Sequence, residues 1–295
     1  MRTHQREIVV SVIALVVMSL AILSYIRSVE KEKQSAGTDL FQLVAPDPDA
    51  LLAVNRPSIV TRMILNQKSL YSAFSSGLPP VFLSLIKESH EGRMIFSFHP
   101  QGIVCYMKAD GREVRSIEEN VLQKRFGGYA PLKREKDGIT YSFYAGTDSR
   151  FFGCYAYGGI WVGSYSRKLL EAVSRRQTGD GQPLPAEIGE LRNAFDMNAP
   201  ANILFPADDL NLYVSSDQSP EWRIRHRWLA TDLFLSEGRF CCYGNLPYTS
   251  LPAVYYRSMA DTLSRRVEQL YPEIHMTFQI NSEENKLYYT GCAPF

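Results

Sequence analysis

Ile139-Thr140-Tyr141-Ser142-Phe143-Tyr144, Phe151-Phe152-Gly153-Cys154-Tyr155-Ala156-Tyr157 and Ile160-Trp161-Val162-Gly163 follow one another between positions 139 and 163. In the first run Ile139, Tyr141 and Phe143 alternate with Thr140, Ser142 and Tyr144, the period of two that places successive side chains on opposite faces of a strand. The second run is aromatic almost throughout, and Gly158-Gly159 supplies a two-residue turn into the third. Parallel pairing needs a crossover of a dozen or more residues, and these connections are shorter. The three runs therefore predict an antiparallel meander.

The same patterning extends in both directions. Upstream, Met94–Phe98 and Ile103–Met107 flank His99-Pro100-Gln101-Gly102, a turn sequence, and predict a hairpin. Leu51–Val54 reads as a strand between Pro46/Pro48 and Pro57. A helix then follows, with Ser58 as cap and Ile59, Met63, Leu70 and Phe74 at helical spacing, and a short helix over Val81–Lys87. Ser116 with Glu119 suggests a capping box for a helix carrying Ile117, Val121 and Leu122. Downstream, Ser166 caps a helix bearing Leu169, Leu170 and Val173, and a second helix covers about 185–195. Strands are expected at Asn202–Phe205, Trp222–Trp228, Thr231–Leu235 and Phe240–Gly244. A helix near Tyr256–Leu270 precedes a last hairpin, His275–Ile280 with Lys286–Thr290. The fold class is α+β: antiparallel meanders and hairpins with packed helices. Ala45-Pro46 and Ala199-Pro200 each open a strand–helix–hairpin succession, which suggests two related halves, 41–198 and 199–295; ordinary turn chemistry accounts for the phrase equally well.

Ahead of this body, Ile8 to Ile26 is nineteen residues with no charge, Pro or Gly. As a helix it spans roughly 28 Å, against a hydrocarbon core of about 30 Å. It is longer than the apolar core of a cleaved signal, and Arg27, Glu30, Lys31, Glu32 and Lys33 follow at once, so a retained transmembrane helix is expected. Residues 1–7 form a short tail and 27–40 a polar spacer. Basic residues number two before the segment and three soon after it, so charge does not fix the orientation. The large load after the segment favours a body outside the cytoplasm.

The 295 residues carry 32 basic and 31 acidic side chains. Five basic and three acidic ones lie in the first 37 residues, leaving 27 against 28, a balance that excludes steering of a nucleic acid by net field. Hydrophobic residues make up 45%, which excludes disorder. Of the five cysteines, Cys105, Cys154, Cys241 and Cys242 sit in strand-like aromatic runs and read as small hydrophobes. With Cys292 the count is odd, which leaves at least one unpaired, and the sequence does not choose among the fifteen arrangements of two bridges. His4, His90, His99, His226 and His275 show no metal-ligand spacing, so no metal is expected. Gly163-Ser164-Tyr165-Ser166-Arg167 lacks the second glycine of a nucleophile elbow. Gly127-Gly128 and Gly158-Gly159 lack the continuation of a phosphate cradle, so no nucleotide cofactor is expected. Asp47/Asp49 reads as a turn, and Asp208/Asp209 as the acidic start of a helix. No catalytic, cofactor or metal residue is assigned.

One stretch is pointed. In Trp222-Arg223-Ile224-Arg225-His226-Arg227-Trp228, strand alternation puts Arg223, Arg225 and Arg227 on one face at intervals of about 7 Å. Three guanidiniums so spaced could grip an acidic glycan, a lipid headgroup or a partner peptide. A solvated face whose arginines pair with acids on neighbouring strands fits the same pattern.

Trp161-Val162-Gly163-Ser164-Tyr165-Ser166-Arg167-Lys168-Leu169-Leu170, Phe195, Ala199–Phe205 and the entry phrase Ala45–Val54 resemble a stretch in uncharacterised bacterial membrane-anchored or exported proteins, a domain of unknown function, loosely over residues 41–215. The resemblance implies an address and an architecture and no catalytic residue. The expectation is a single-pass membrane protein, held in the bilayer by residues 8–26, whose periplasmic α+β body is a binding or structural module with an envelope protein or glycan as partner. An envelope hydrolase with dispersed residues, or a subunit of an envelope complex, is the alternative.

Overall fold

The computed structural model describes residues 39–295 except 90–91, 147–149, 180–185, 194, 207–227, 237–238, 247–251, 284–285 and 295. The apolar run 8–26, most of the spacer and the arginine strip of 223–227 lie outside the described residues. Among the described residues no helix is long and apolar enough to cross a membrane.

The strands are β1 (Ala50–Val54), β2 (Met94–His99), β3 (Gly102–Lys108), β4 (Leu132–Lys136), β5 (Ile139–Ala145), β6 (Phe151–Tyr157), β7 (Ile160–Ser164), β8 (Ala201–Pro206), β9 (Trp228–Ser236), β10 (Arg239–Asn245), β11 (Thr277–Glu283) and β12 (Lys286–Pro294). The helices are α1 (Pro57–Asn66), α2 (Lys68–Gly77), α3 (Pro80–Glu88), α4 (Gly111–Ser116), α5 (Arg167–Gln177), α6 (Ala186–Arg192) and α7 (Tyr256–Leu270). All twelve strands join one sheet, in the order β11-β12-β10-β9-β8-β1-β2-β3-β7-β6-β5-β4. Each neighbouring pair in this order is antiparallel, including the central β1/β8 pair that sets Leu51 against Leu204. On each side of that pair the chain makes a hairpin, leaves through a helix and returns a later strand onto the hairpin's second strand: β7 onto β3, and β12 onto β10.

Strand alternation divides the core in two. Leu52, Val54, Met94, Phe96, Cys105, Met107 and Trp161 face one side, under α1, α2, α3 and α7. Leu51, Ala53, Ile95, Val104, Tyr106, Ile160 and Val162 face the other, under α5, α6 and a 3-10 turn at Leu40–Leu43. The centre of the sheet is buried on both faces, which is why its strands read as near-continuous apolar runs. Gly163 makes room for the largest of these side chains. A Cβ there would stand 2.4 Å from Trp161 Cη2 and 2.8 Å from Phe152 Cζ, so the indole lies where any side chain would have been.

Several local expectations need correcting. The capping box is Asp110 with Glu113, not Ser116 with Glu119: Asp110 accepts from the Arg112 and Glu113 amides, and Glu113 accepts from the Asp110 amide. Ser116 closes α4, and the chain widens into a π-helical stretch, Ile117–Gln123, whose Ile117, Val121 and Leu122 are buried. Ser58 lies inside α1, which starts at Pro57, a residue suited to the first turn because its missing N–H would have no helical partner. Extended backbone at Gln67 separates α1 from α2. Trp228 opens β9, and the rest of the strand expected over Trp222–Trp228 lies outside the described residues. β4, Leu-Lys-Arg-Glu-Lys, is exposed throughout and was not expected from periodicity, because it buries no face. Its charges suit an edge strand, where they discourage pairing with another chain.

Candidate binding face

Past β9 the second face of the sheet loses its helical cover among the described residues. Arg239, Cys241, Tyr243 and Asn245 of β10 alternate with buried Phe240, Cys242 and Gly244. On β12, Tyr288, Thr290 and Cys292 alternate with buried Leu287, Tyr289, Gly291 and Ala293. On β11, Thr277, Gln279 and Asn281 alternate with Phe278 and Ile280, the last two buried under α7. Register lines these residues up in rows: Arg239 with Pro294, Cys241 with Cys292 and Thr277, then Tyr243 with Thr290 and Gln279. Arg239, Thr277, Gln279, Thr290, Cys292 and Pro294 line a depression of about 400 Å³. Beside it the rings of Tyr243 and Tyr288 stack, 5.5 Å between centroids and 18° between planes. Burial raises the Tyr243 phenol above its ordinary value, with Tyr288, Glu283 and Asp232 adding to the shift.

A disulfide crosses this face. Cys241 and Cys292 are direct partners on β10 and β12, 51 residues apart in sequence, and are bonded. This corrects the reading of Cys241 as a small hydrophobe. Cys105, Cys154 and Cys242 are free and buried. Burial in apolar surroundings pushes the thiols of Cys105 and Cys154 far up and that of Cys242 up to about 12, so none is a thiolate nucleophile at neutral pH.

Two buried polar clusters hold the body together. In the first, His99 Nδ1 lies 3.3 Å from the Asp47 carbonyl and Nε2 lies 2.8 Å from Ser97 Oγ. Ser97 Oγ lies 2.9 Å from Tyr106 Oη, which accepts the Ala45 N–H at 3.0 Å. A carbonyl only accepts, so the imidazole proton is assigned to Nδ1. Ser97 then donates to Nε2, and Tyr106 donates to Ser97. Burial lowers the His99 pKa, against opposing contributions from Asp47, Asp49 and Pro46. Arg176 reaches the neighbouring Val44 carbonyl. Ser97 and Tyr106 are fully buried, so this serine–histidine contact offers no nucleophile to a substrate; it pins the chain leading into β1 onto the β2–β3 hairpin. In the second cluster, Asn202 donates to Asp232 Oδ1 at 2.6 Å and to the Asp196 carbonyl, the Asp196 N–H donates to Asp232 Oδ2, and Asn55 donates to Asn202 Oδ1 at 2.5 Å. Desolvation raises the Asp232 pKa despite these donors.

Arg223, Arg225 and Arg227, with His226 and Asp208/Asp209, lie outside the described residues, as do His4 and His90. His275 makes an exposed 3.6 Å contact with Glu268. Ser164 donates to the Ile103 carbonyl and Ser166 caps α5. Asp47 occupies a turn at φ 53°. Among the described residues no group of three or more His, Cys, Asp and Glu is placed to hold a metal. The polar row of the last hairpin was missed as a site because alternation alone also describes a solvated strand.

No family model and no curated protein matches the chain. Solved structures similar to it include two crystal forms of TP0453. Crystal form I of TP0453 shares 11% identity at a TM-score of 0.48, covering 88% of this chain and 94% of that one. Crystal form IV shares 9% at 0.40, covering 84% and 90%.

Proposed function

We propose that the chain is a single-pass membrane protein of the bacterial envelope whose α+β body lies outside the cytoplasm and serves as a binding module. The observation that carries the reading is the Cys241–Cys292 disulfide, because such bonds form and persist in oxidising compartments and are rare in the cytosol. It agrees with the uncharged run Ile8–Ile26, long enough to cross a bilayer ahead of the body. A sheet face of alternating polar side chains around a depression of about 400 Å³ supports a binding role, since small-molecule sites commonly enclose roughly 300–1,000 Å³.

The body reads as two related halves joined at β1 and β8. Cys105 of β3 pairs with Gly163 of β7, and Cys242 of β10 pairs with Gly291 of β12, so the same two residue types meet at the corresponding return strand. At Gly291 a Cβ would stand 2.6 Å from Phe278 Cε1 and 2.9 Å from Cys242 Sγ, the same close approach of an aromatic ring that Gly163 permits.

The address is tested by placing one cysteine in the 27–40 spacer of the full chain and treating intact cells with a membrane-impermeant maleimide. Labelling without lysis, with the protein retained in membranes after alkaline carbonate washing, is the expected result. Labelling only after lysis, or a soluble protein trimmed at its amino terminus, removes the reading.

A further inference from the structure

The depression on β10, β12 and β11 has a definite chemical bias. Its side-chain polar groups are the guanidinium of Arg239, the hydroxyls of Thr277 and Thr290 and the amide of Gln279, and no acidic side chain lines it. Arg239 is exposed, and among the described residues no carboxylate pairs with it. An arginine fork complements a carboxylate. The other end of the face is different. Tyr243 is directly opposite Thr290, stacks on Tyr288, and feels Glu283 and Asp232. Arg239 and Tyr243 are four residues apart on one strand, a span of about 13 Å, longer than one pyranose ring. The face thus offers a cation at one end, uncharged donors and acceptors in the middle, and an aromatic pair at the other.

We infer that this face binds an acidic oligosaccharide, its carboxylate on Arg239, its hydroxyls on Thr277, Thr290 and Gln279, and a neutral part of a sugar ring against Tyr243. The inference rests on the binding-module reading and gives it a ligand class.

The test uses the full-length protein in detergent micelles, titrated with a galacturonic acid trimer and with the same trimer methyl-esterified, by calorimetry. The wild type binds the acid at least tenfold more tightly than the ester. Arg239→Ala loses tenfold or more for the acid and is unchanged for the ester, Arg239→Lys falls between, and Tyr243→Ala weakens both. Because Arg239 is exposed, an unchanged unfolding midpoint in its variants separates lost binding from lost folding. Equal affinity for acid and ester, an Arg239→Ala variant that binds like the wild type, or no binding of the acid overturns the inference. So does Arg239-dependent binding to phosphatidylglycerol vesicles without binding of the trimer, which would make the face a lipid site. A protein that fails with the trimer but keeps its spacer cysteine labelled from outside loses only the ligand and retains its place in the envelope.

Discussion

His99 is held by two partners that together satisfy both ring nitrogens of its neutral form. With Nδ1–H on the Asp47 carbonyl, Nε2 must accept, and every hydroxyl proton in the Ser97–Tyr106 chain points toward the imidazole. Protonating Nε2 reverses the chain: Ser97 would turn its proton toward Tyr106 Oη, which already accepts from Ala45, and the phenol proton would lose its acceptor. Leaving a buried donor unmatched costs on the order of 1–3 kcal/mol. The folded pKa therefore lies below the ordinary histidine value, as burial also dictates. The unfolded chain then binds the proton more readily, so the contribution of His99 to stability is present above the unfolded pKa of about 6.5 and is lost as pH falls through the folded value. Denaturation of the wild type and of His99→Gln at pH 7.5 and pH 5 should show the wild type losing more stability on acidification. Parallel losses in the two proteins would remove His99 as the cause.

At the scale of elements, the disulfide joins β10 to β12, whose buried residues share one core layer with α7. Closing 51 residues restricts the unfolded chain, and the chain-entropy relation gives a stabilisation of about 4 kcal/mol, within an observed range of about 0–5. Reduction, or Cys241→Ser with Cys292→Ser, should lower the unfolding midpoint by several degrees, with no second shift when reductant is added to the double variant. A midpoint indifferent to reductant would mean that the bond adds nothing to stability. The pairing shows why some of the molecule is legible in the sequence and some is not. Period two announces β5, near-continuous apolar and aromatic runs announce β6 and β7, and α7 shows because it buries one stripe, Met259, Ala260 and Leu263. β4 buries nothing and leaves no periodic trace. That Cys241 meets Cys292, or that Leu51 meets Leu204, depends on register between distant segments, to which local pattern is blind. The polar face of the last strands is hidden for the same reason: Arg239, Thr277 and Thr290 become neighbours only once three strands are aligned.

For the whole molecule, the question is whether the boundary expected near residue 198 separates two folding units. Four residue pairs, Leu51 to Val54 with Leu204 to Ala201, cross it at the centre of the sheet. Asn55 adds hydrogen bonds to the Ala199 carbonyl and to Asn202, and the Asn55 and Arg56 amides donate to the Pro200 carbonyl. Both layers of the core run through the seam: Leu52 and Val54 share one with Leu229 and Leu233, while Leu51 and Ala53 share the other with Leu204 and Ala230. Separating the halves would turn β1 and β8 into apolar edge strands whose ladder groups lack partners, an arrangement that favours aggregation over folding. Chains of this size commonly unfold in steps, so cooperativity here is a discriminating outcome. Calorimetry of the full chain in micelles should give one heat-absorption peak for the body, and residues 199–295 expressed alone should fail to fold. Two resolved transitions, or a folded 199–295 fragment, would show that the seam joins two independent domains and that the continuous sheet contributes little to holding them together.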